Sequence, residues 1–226
     1  MIKLNSDEIK AILKISDCQL MHLRLERGIE FEKQGRSYLY SIPTEYSLLD
    51  HPLGKELINW HTNKHSFEQS NKPIAEDSKA ALESMVHDIL LPIQRQLGTP
   101  LISYGFTSFA LKSYVQKNSS SGTSPSLDQH SAYENNSAGK QICSRGGAAC
   151  DFYIKGIPTS DVVRLIVNQL NFDRIYYYGD DRPLHVSIHL TDPQQHLQLM
   201  NVSENGRRYP SKRAYGEQAK QLAEQI

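Results

Sequence analysis

The chain has 226 residues and carries 25 lysine and arginine residues against 25 aspartate and glutamate residues, so its formal net charge is zero. This balance gives no overall attraction to nucleic acid or to an anionic membrane, and it argues against both as partners. No apolar run approaches the roughly 20 residues of a transmembrane helix, and the polar N-terminus lacks a signal-peptide pattern. We therefore expect a cytoplasmic protein, and the sequence leaves its oligomeric state open.

Residues 1–74 are predicted to form an accessory N-terminal region ahead of a main domain at residues 75–226. Helical spacing of apolar residues predicts one or two helices within residues 1–35, the first with Ser6 as its N-cap. A strand is predicted at residues 37–42, ended by Pro43, and a short amphipathic helix is predicted between residues 48 and 60.

The signals are stronger in the main domain, where helices and strands alternate. Apolar periodicity predicts a helix at residues 76–97, closed by Gly98 and kinked at Pro92, and a helical turn or two at 109–115 before a polar loop at 116–128. Later predicted strands cover 101–104, 148–154, 174–178, 184–190 and 197–202, with helices from Thr159 or Ser160 to 170 and from 215 onward. This order predicts an α+β fold, with a small antiparallel sheet and flanking helices.

Three short motifs follow one another in the main domain: Ser103–Ser108 (SYGFTS), Gly147–Asp151 (GAACD) and His185–Ser187 (HVS). Their order, with a helix between the second and the third, resembles the M15 zinc peptidases and the wider hedgehog/D-Ala-D-Ala-peptidase superfamily. Those proteins have a Ser-Gly-Tyr-Arg-Ser-like turn, a Ser-x-His-x-x-Gly-x-Ala-x-Asp motif and a strand with a metal-binding histidine. The resemblance covers roughly residues 76–200, and it implies a hedgehog/DD-peptidase-like fold and a Zn²⁺ site.

The resemblance implies that Asp151 and His185 bind the metal ion. The position of the family's first ligand is occupied by Ser144, and we take His130 as the third ligand, with residues 131–143 as an insertion; His189 is a reserve. Two imidazoles and one carboxylate leave a fourth position on zinc open, as catalytic zinc requires. The ion would lower the pKa of a bound water from ~15.7 toward ~7.

Hydrolysis also needs a general base. The resemblance places an acid three residues before the last histidine, where this chain has Arg182, so Asp181 is our first choice for the base. Glu134, four residues after His130, is a second candidate for the base or a partner for a histidine N–H.

The arginine of the family's turn is replaced by Thr107, and Arg145 or Arg182 is the predicted substitute for binding an anion. The first function that the sequence suggests is a zinc-dependent hydrolase of an amide bond, with a peptidoglycan stem peptide as the substrate implied by the resemblance. Ser144 and Thr107 instead favour a non-catalytic metal-binding domain that recognises a ligand or partner. Arg145, Arg182 and the basic cluster at residues 207–213 suggest a third possibility, an enzyme acting on a nucleotide or another phosphorylated small molecule.

Overall fold

The computed structural model describes residues 2–118 and 129–226, so most of the predicted polar loop at 116–128 lies outside the described residues. Contacts divide the chain into two compact units, Met1–Lys55 and Glu56–Ile226. Residues 56–74, which the sequence analysis assigns to the N-terminal region, fold within the second unit, where Trp60 Nε1 donates a hydrogen bond to Phe106 O at 2.8 Å. Among the described helices, none has the length and apolar character to cross a membrane.

The first unit contains a three-stranded antiparallel sheet in the order β1-β3-β2, together with two helices. Its elements are β1 (Lys3–Leu4), α1 (Ser6–Leu13), α2 (Asp17–Leu25), β2 (Phe31–Gln34), β3 (Ser37–Ser41), a 3₁₀ turn (Leu48–Asp50) and the start of α3 (Pro52–Asn59). The prediction of Ser6 as N-cap is wrong. Asn5 is the cap, because its side chain accepts from the N–H groups of Asp7 and Glu8 while the Glu8 carboxylate accepts from Asn5 N–H.

The second unit contains the remaining elements. They are a 3₁₀ turn (Trp60–Asn63), α4 (Glu76–Ser84), a π-helical segment (Met85–Leu90), α5 (Leu91–Leu97), β4 (Leu101–Tyr104), α6 (Phe109–Asn118), a 3₁₀ turn (Gln129–Ser131), β5 (Ala148–Tyr153), α7 (Thr159–Gln169), β6 (Arg174–Tyr177), β7 (Leu184–Ile188), β8 (His196–Val202), β9 (Arg208–Tyr215) and α8 (Glu217–Ala223). The predicted helix at 76–97 is thus continued through a wider π turn. That segment ends two residues before Pro92, which cannot donate a backbone hydrogen bond.

The second unit is built on a six-stranded sheet in the order β4-β5-β7-β6-β8-β9, which confirms the α+β class. The sheet is mixed rather than antiparallel, because β8 lies beyond β6 and runs parallel to it. The basic cluster at residues 207–213 lies largely in strand β9, which pairs with β8 at the edge of the sheet. An edge strand can expose most of its side chains, so its sequence lacks the apolar alternation that predicted the other strands.

The two faces of this sheet differ in chemistry. One row of paired residues across β5, β7, β6, β8 and β9 is apolar and buried, namely Cys150, Val186, Ile175, Leu197 and Ala214. The neighbouring row crosses all six strands on the opposite face and is polar or aromatic, namely Tyr104, Asp151, His185, Tyr176, Gln198 and Arg213. Side chains alternate between faces along a strand, so the acid and the histidine of two sequence motifs meet on one polar face.

Gly147 directly precedes β5 and joins that strand to the preceding turn. Its φ is +92°, and a Cβ atom at this position would overlap the backbone oxygen of Ile188. Gly156, which follows β5, also has a positive φ of +79°, but no atom lies within 4 Å of the position of its Cβ. Alanine substitutions at the two positions therefore distinguish the free-energy cost of the backbone conformation from that of a steric overlap.

We predict that Gly147→Ala destabilises the protein more than Gly156→Ala. The free energy of unfolding should fall by about 1–2 kcal/mol in both variants, because alanine resists a left-handed conformation. It should fall by about 1–3 kcal/mol more in Gly147→Ala, because the added Cβ overlaps the backbone oxygen of Ile188. Urea unfolding followed by circular dichroism measures both values. Equal losses in the two variants would contradict the close approach of Gly147 to β7.

Candidate metal centre

Asp151 and His185 are brought together by the pairing of β5 with β7. The two residues are direct partners in the antiparallel register, and their side chains point to the polar face of the sheet. His185 Nδ1 lies 2.7 Å from Asp151 Oδ1. The contact follows from the strand register itself, so it needs no loop to position it.

His130 reaches the same carboxylate from the 3₁₀ turn at Gln129–Ser131. The backbone N–H of Thr107 donates to His130 O at 2.9 Å, and His130 Nδ1 lies 3.1 Å from Gly105 O. On the other side of the ring, His130 Nε2 lies 3.2 Å from Asp151 Oδ1. The turn after β4, which the sequence analysis singled out as a motif, therefore holds the histidine in place through two backbone groups.

The three side chains are close enough to share one ion. Each of the three side chains offers one ligand atom, and these atoms of His130, Asp151 and His185 all lie within 4.8 Å of one another. Zinc binds nitrogen and carboxylate oxygen at about 2.0–2.2 Å, so two ligand atoms of a tetrahedral site are about 3.3–3.6 Å apart. Side-chain movements of about 1 Å would bring all three atoms to these separations. The structure thus places all three predicted ligands in one cluster that is compatible with a metal ion.

The hydrogen-bonding pattern of His130 favours a cation at this position. A carbonyl oxygen can only accept, so the contact with Gly105 O places a hydrogen on Nδ1 and leaves Nε2 toward Asp151. A carboxylate oxygen also only accepts, and a proton or a metal ion must therefore lie between it and Nε2. An outer hydrogen bond from the second ring nitrogen to a backbone carbonyl is the usual arrangement of a metal-binding histidine.

The charge of Asp151 is retained in this cluster. Removal from water raises the pKa of its carboxyl, but the charges and hydrogen bonds of His130 and His185 outweigh this effect and hold the pKa far below its ordinary value. The carboxylate is therefore ionised at neutral pH, as a metal ligand must be.

Two tyrosine rings enclose the imidazoles, and the sequence analysis did not identify either as part of the site. The Tyr104 ring lies edge-on to His130, with 4.5 Å between the ring centres. The Tyr176 ring stacks on His185, with 5.0 Å between centres and 28° between planes. Both tyrosines belong to the same transverse row as Asp151, so the alternation of their strands is the signal that could have found them.

Arg145 lies in the turn that leads into β5 and forms an ion pair with Asp173. Its Nε and Nη2 lie 2.9 Å and 2.6 Å from the two oxygens of Asp173, a fully buried carboxylate. Gln129 Nε2 and Gln194 N–H also donate to Asp173. The carboxyl loses water, which raises its pKa, yet the arginine and these donors lower the pKa below its ordinary value. The structure therefore gives Arg145 a partner within the fold, and its predicted role in binding a substrate anion stays a prediction.

Two further candidates also have partners in the structure. Glu134 is buried, and its Oε1 accepts hydrogen bonds from the N–H groups of Ile74 and Ala75 ahead of α4. His189 Nδ1 accepts from the N–H groups of Thr191 and Asp192, and its Nε2 lies 3.1 Å from Arg145 O. Through these contacts both side chains stabilise nearby backbone segments. His189 is not part of the ligand cluster.

Asp181 lies in the exposed turn between β6 and β7. Its neighbour Asp180 accepts a hydrogen bond from Ser160 N–H at 2.8 Å and so caps helix α7 from outside, which replaces the predicted capping by Thr159 or Ser160. The Thr159 hydroxyl instead donates to the backbone oxygens of this turn. Asp181 has no hydrogen bond or ion pair within the described residues, so its carboxylate is available to a ligand.

No family model, curated protein or solved structure matches the chain. The case for the site therefore depends on its own geometry and donor chemistry.

We predict that Asp173→Asn lowers the free energy of unfolding by about 3–5 kcal/mol at neutral pH, because it leaves the Arg145 charge without its partner. The carboxyl has a lower pKa in the folded chain than in the unfolded chain. Its contribution is thus fully present above about pH 4 and is lost as the pH falls toward the folded-state value. The difference between wild type and variant should shrink accordingly in urea unfolding at decreasing pH.

Asp192→Asn is the matched control for this ion pair. Asp192 Oδ2 lies 3.4 Å from the same guanidinium, but its side chain is 73% exposed, so the loss should stay below about 1 kcal/mol. Similar losses for Asp173→Asn and Asp192→Asn would refute the structural role of the buried pair.

Proposed function

We propose that the protein is a zinc-dependent hydrolase whose ion is held by His130, Asp151 and His185. The convergence of three ligand atoms within 4.8 Å on the polar face of the sheet carries the proposal. The bond cleaved is an amide, and by the likeness of the motifs to M15 peptidases the substrate class is a peptidoglycan stem peptide. The likeness to the hedgehog/DD-peptidase fold is part of this proposal.

The donor set is compatible with zinc and disfavours magnesium and calcium. Two imidazole nitrogens and one carboxylate oxygen match zinc better than magnesium or calcium, which prefer oxygen ligands alone. Three protein ligands also leave a position free for a water or a substrate. When bound, the ion would supply Lewis-acid polarisation of the scissile carbonyl and an activated water.

The protein's own groups orient the ligands and exclude water. Gly105 O fixes the ring orientation of His130, and the β5–β7 register fixes the distance between Asp151 and His185. Stacking of Tyr176 on His185 limits the rotation of that imidazole and covers one of its faces. A ligand set held in this way loses little conformational freedom on binding an ion.

A cavity of about 530 Å³ lies beyond the end of β5 and before the start of β7, and we propose it as the substrate site; its lining does not include the three ligands themselves. Its lining includes Tyr153, two residues beyond Asp151 on β5, and Pro183, two residues before His185. Two residues of strand span about 7 Å. Asp181 also lines this cavity, and we propose that its carboxylate accepts the proton of the attacking water.

The first test is metal content. We expect the purified wild type, exposed to zinc and desalted at pH 7.5, to retain one equivalent by elemental analysis, and His185→Ala to retain less than about a tenth of that amount, because a tetrahedral site loses one of three protein ligands. His189→Ala is the matched control, because this histidine lies one residue beyond β7 but outside the cluster. Retention of zinc by His185→Ala would remove the proposed centre.

The second test separates catalysis from binding. Asp181→Asn should retain one equivalent of zinc, while its kcat on peptidoglycan fragments should fall about 10²–10⁴-fold, as expected for loss of a general base. Glu134→Gln should instead lower stability and leave the kcat of the folded protein unchanged. Unchanged turnover in Asp181→Asn would exclude this residue as the base.

A non-catalytic metal-binding domain is a second candidate function. It is favoured by the engagement of Arg145 and Glu134 in contacts within the fold, which leaves Asp181 as the only one of the three predicted catalytic side chains with no partner among the described residues. A wild type that binds one zinc but hydrolyses none of the peptidoglycan fragments would support this candidate over the hydrolase.

A further inference from the structure

The polar face of the sheet continues beyond the metal centre onto β6, β8 and β9, and there its charged side chains are arginines. His196 on β8 is buried, pairs with Arg174 on β6, and has the Tyr215 ring stacked on it at 4.6 Å and 14°. Arg213 lies two residues before Tyr215, the register partner of His196 on β9, so the sheet brings both arginines to the region of this ring pair. Burial and then the charges of Arg174 and Arg213 lower the pKa of His196, whereas the charge of Asp173 acts to raise it.

The positive charge of this region is not balanced within the described residues. Arg213 is exposed and takes part in none of the ion pairs described for the chain. Arg174 Nη2 donates to Gln194 Oε1, and its Nε lies 3.8 Å from Asp173 Oδ2. That carboxylate already binds Arg145 through both oxygens, so it neutralises one arginine and not two.

Arg174 Nε gives a second indication. It is a buried nitrogen without a hydrogen-bond acceptor, because its ion-pair partner Asp173 Oδ2 lies at 3.8 Å. His196 Nε2 is likewise buried and has no hydrogen-bond partner in the structure. Buried polar atoms without partners are rare in folded proteins and often indicate that a ligand, ion or water satisfies them.

The arginines lie within reach of a substrate bound at the metal centre. His185, Tyr176, Gln198 and Arg213 follow one another in a single row across β7, β6, β8 and β9. Three strand spacings separate the backbones of His185 and Arg213, or about 14 Å. An extended molecule of about four residues could therefore lie over Tyr176 and contact both ends of this row.

We propose that Arg174 and Arg213 bind an anionic group, a carboxylate or a phosphate, on the substrate of the metal centre. The assignment of this anion to that substrate rests on the proposed hydrolase function, whereas anion binding by the two arginines does not require a metal ion. Charge complementarity supports the choice of ligand, because guanidinium groups bind carboxylates and phosphates through charge-assisted hydrogen bonds.

The test measures anion binding to the metal-free protein. Sodium pyrophosphate and sodium citrate are titrated at constant ionic strength, because simple screening would otherwise mimic binding, and amide chemical shifts of ¹⁵N-labelled protein are followed by NMR. We expect saturable shifts at β6, β8 and β9 with at least one of the two anions. The anion that binds more tightly identifies phosphate or carboxylate as the group recognised.

Arg213→Gln should weaken this binding roughly tenfold or more, as loss of a charged hydrogen bond predicts. Arg207→Gln makes the same charge change in the turn between β8 and β9 and should bind like the wild type. Arg213→Lys keeps the charge and should retain most of the affinity. The absence of saturable binding, or equal losses in Arg213→Gln and Arg207→Gln, would overturn the proposal.

The outcome is distinguishable from a failure of the metal centre. Wild type that binds the anions but retains no zinc would refute the hydrolase and leave the arginine site standing. Wild type that retains zinc but binds neither anion would refute the arginine site and leave the proposed metal centre standing.

Discussion

One carboxylate oxygen, Oδ1 of Asp151, is the point on which the polar side of this fold depends. Two imidazoles approach it, one across a strand pair and one from a 3₁₀ turn. Each imidazole turns one ring nitrogen toward this carboxylate, so the groups that form these contacts are also the ones that could hold a divalent ion. The register of β5 and β7 is therefore both a structural constraint and the source of the site's chemistry, since a shift by one residue would turn Asp151 into the core.

A second carboxylate, that of Asp173, stabilises the segments that carry His130 and Asp151. Asp173 lies at the start of β6 and binds Arg145, Gln129 and the N–H of Gln194, which come from three separate chain segments. Gln129 directly precedes His130, and Arg145 lies in the turn that leads into β5. The buried ion pair thus fixes the two segments that deliver His130 and Asp151, and its desolvation cost is offset by four donors rather than by one.

Apolar alternation allowed most strands of the larger sheet to be predicted, and the order of the three motifs led to His130, Asp151 and His185, which the structure brings together in a group that could hold a metal ion. Strand β9 could not be predicted, because an edge strand is stabilised by backbone pairing and its exposed side chains follow no apolar pattern. The partners of Arg145 and Glu134 were equally hidden. Asp173 lies 28 residues after Arg145, and Ile74 lies 60 residues before Glu134, so only the assembled fold shows that these charged side chains are already engaged.

Whole-chain neutrality also concealed how charge is distributed on the sheet. Twenty-five basic residues balance twenty-five acidic ones, and this sum excludes strong long-range attraction to a polyanion. It does not limit the potential at a short distance from one face. Arg145 forms an ion pair with the buried Asp173, whereas Arg213 takes part in no ion pair among the described residues. Fields from exposed charges fall off within about 10 Å at ordinary salt, so they act chiefly on groups that are bound close to them. The anion binding proposed for Arg174 and Arg213 therefore depends on the local arrangement of charge on the sheet and not on the net charge of the chain.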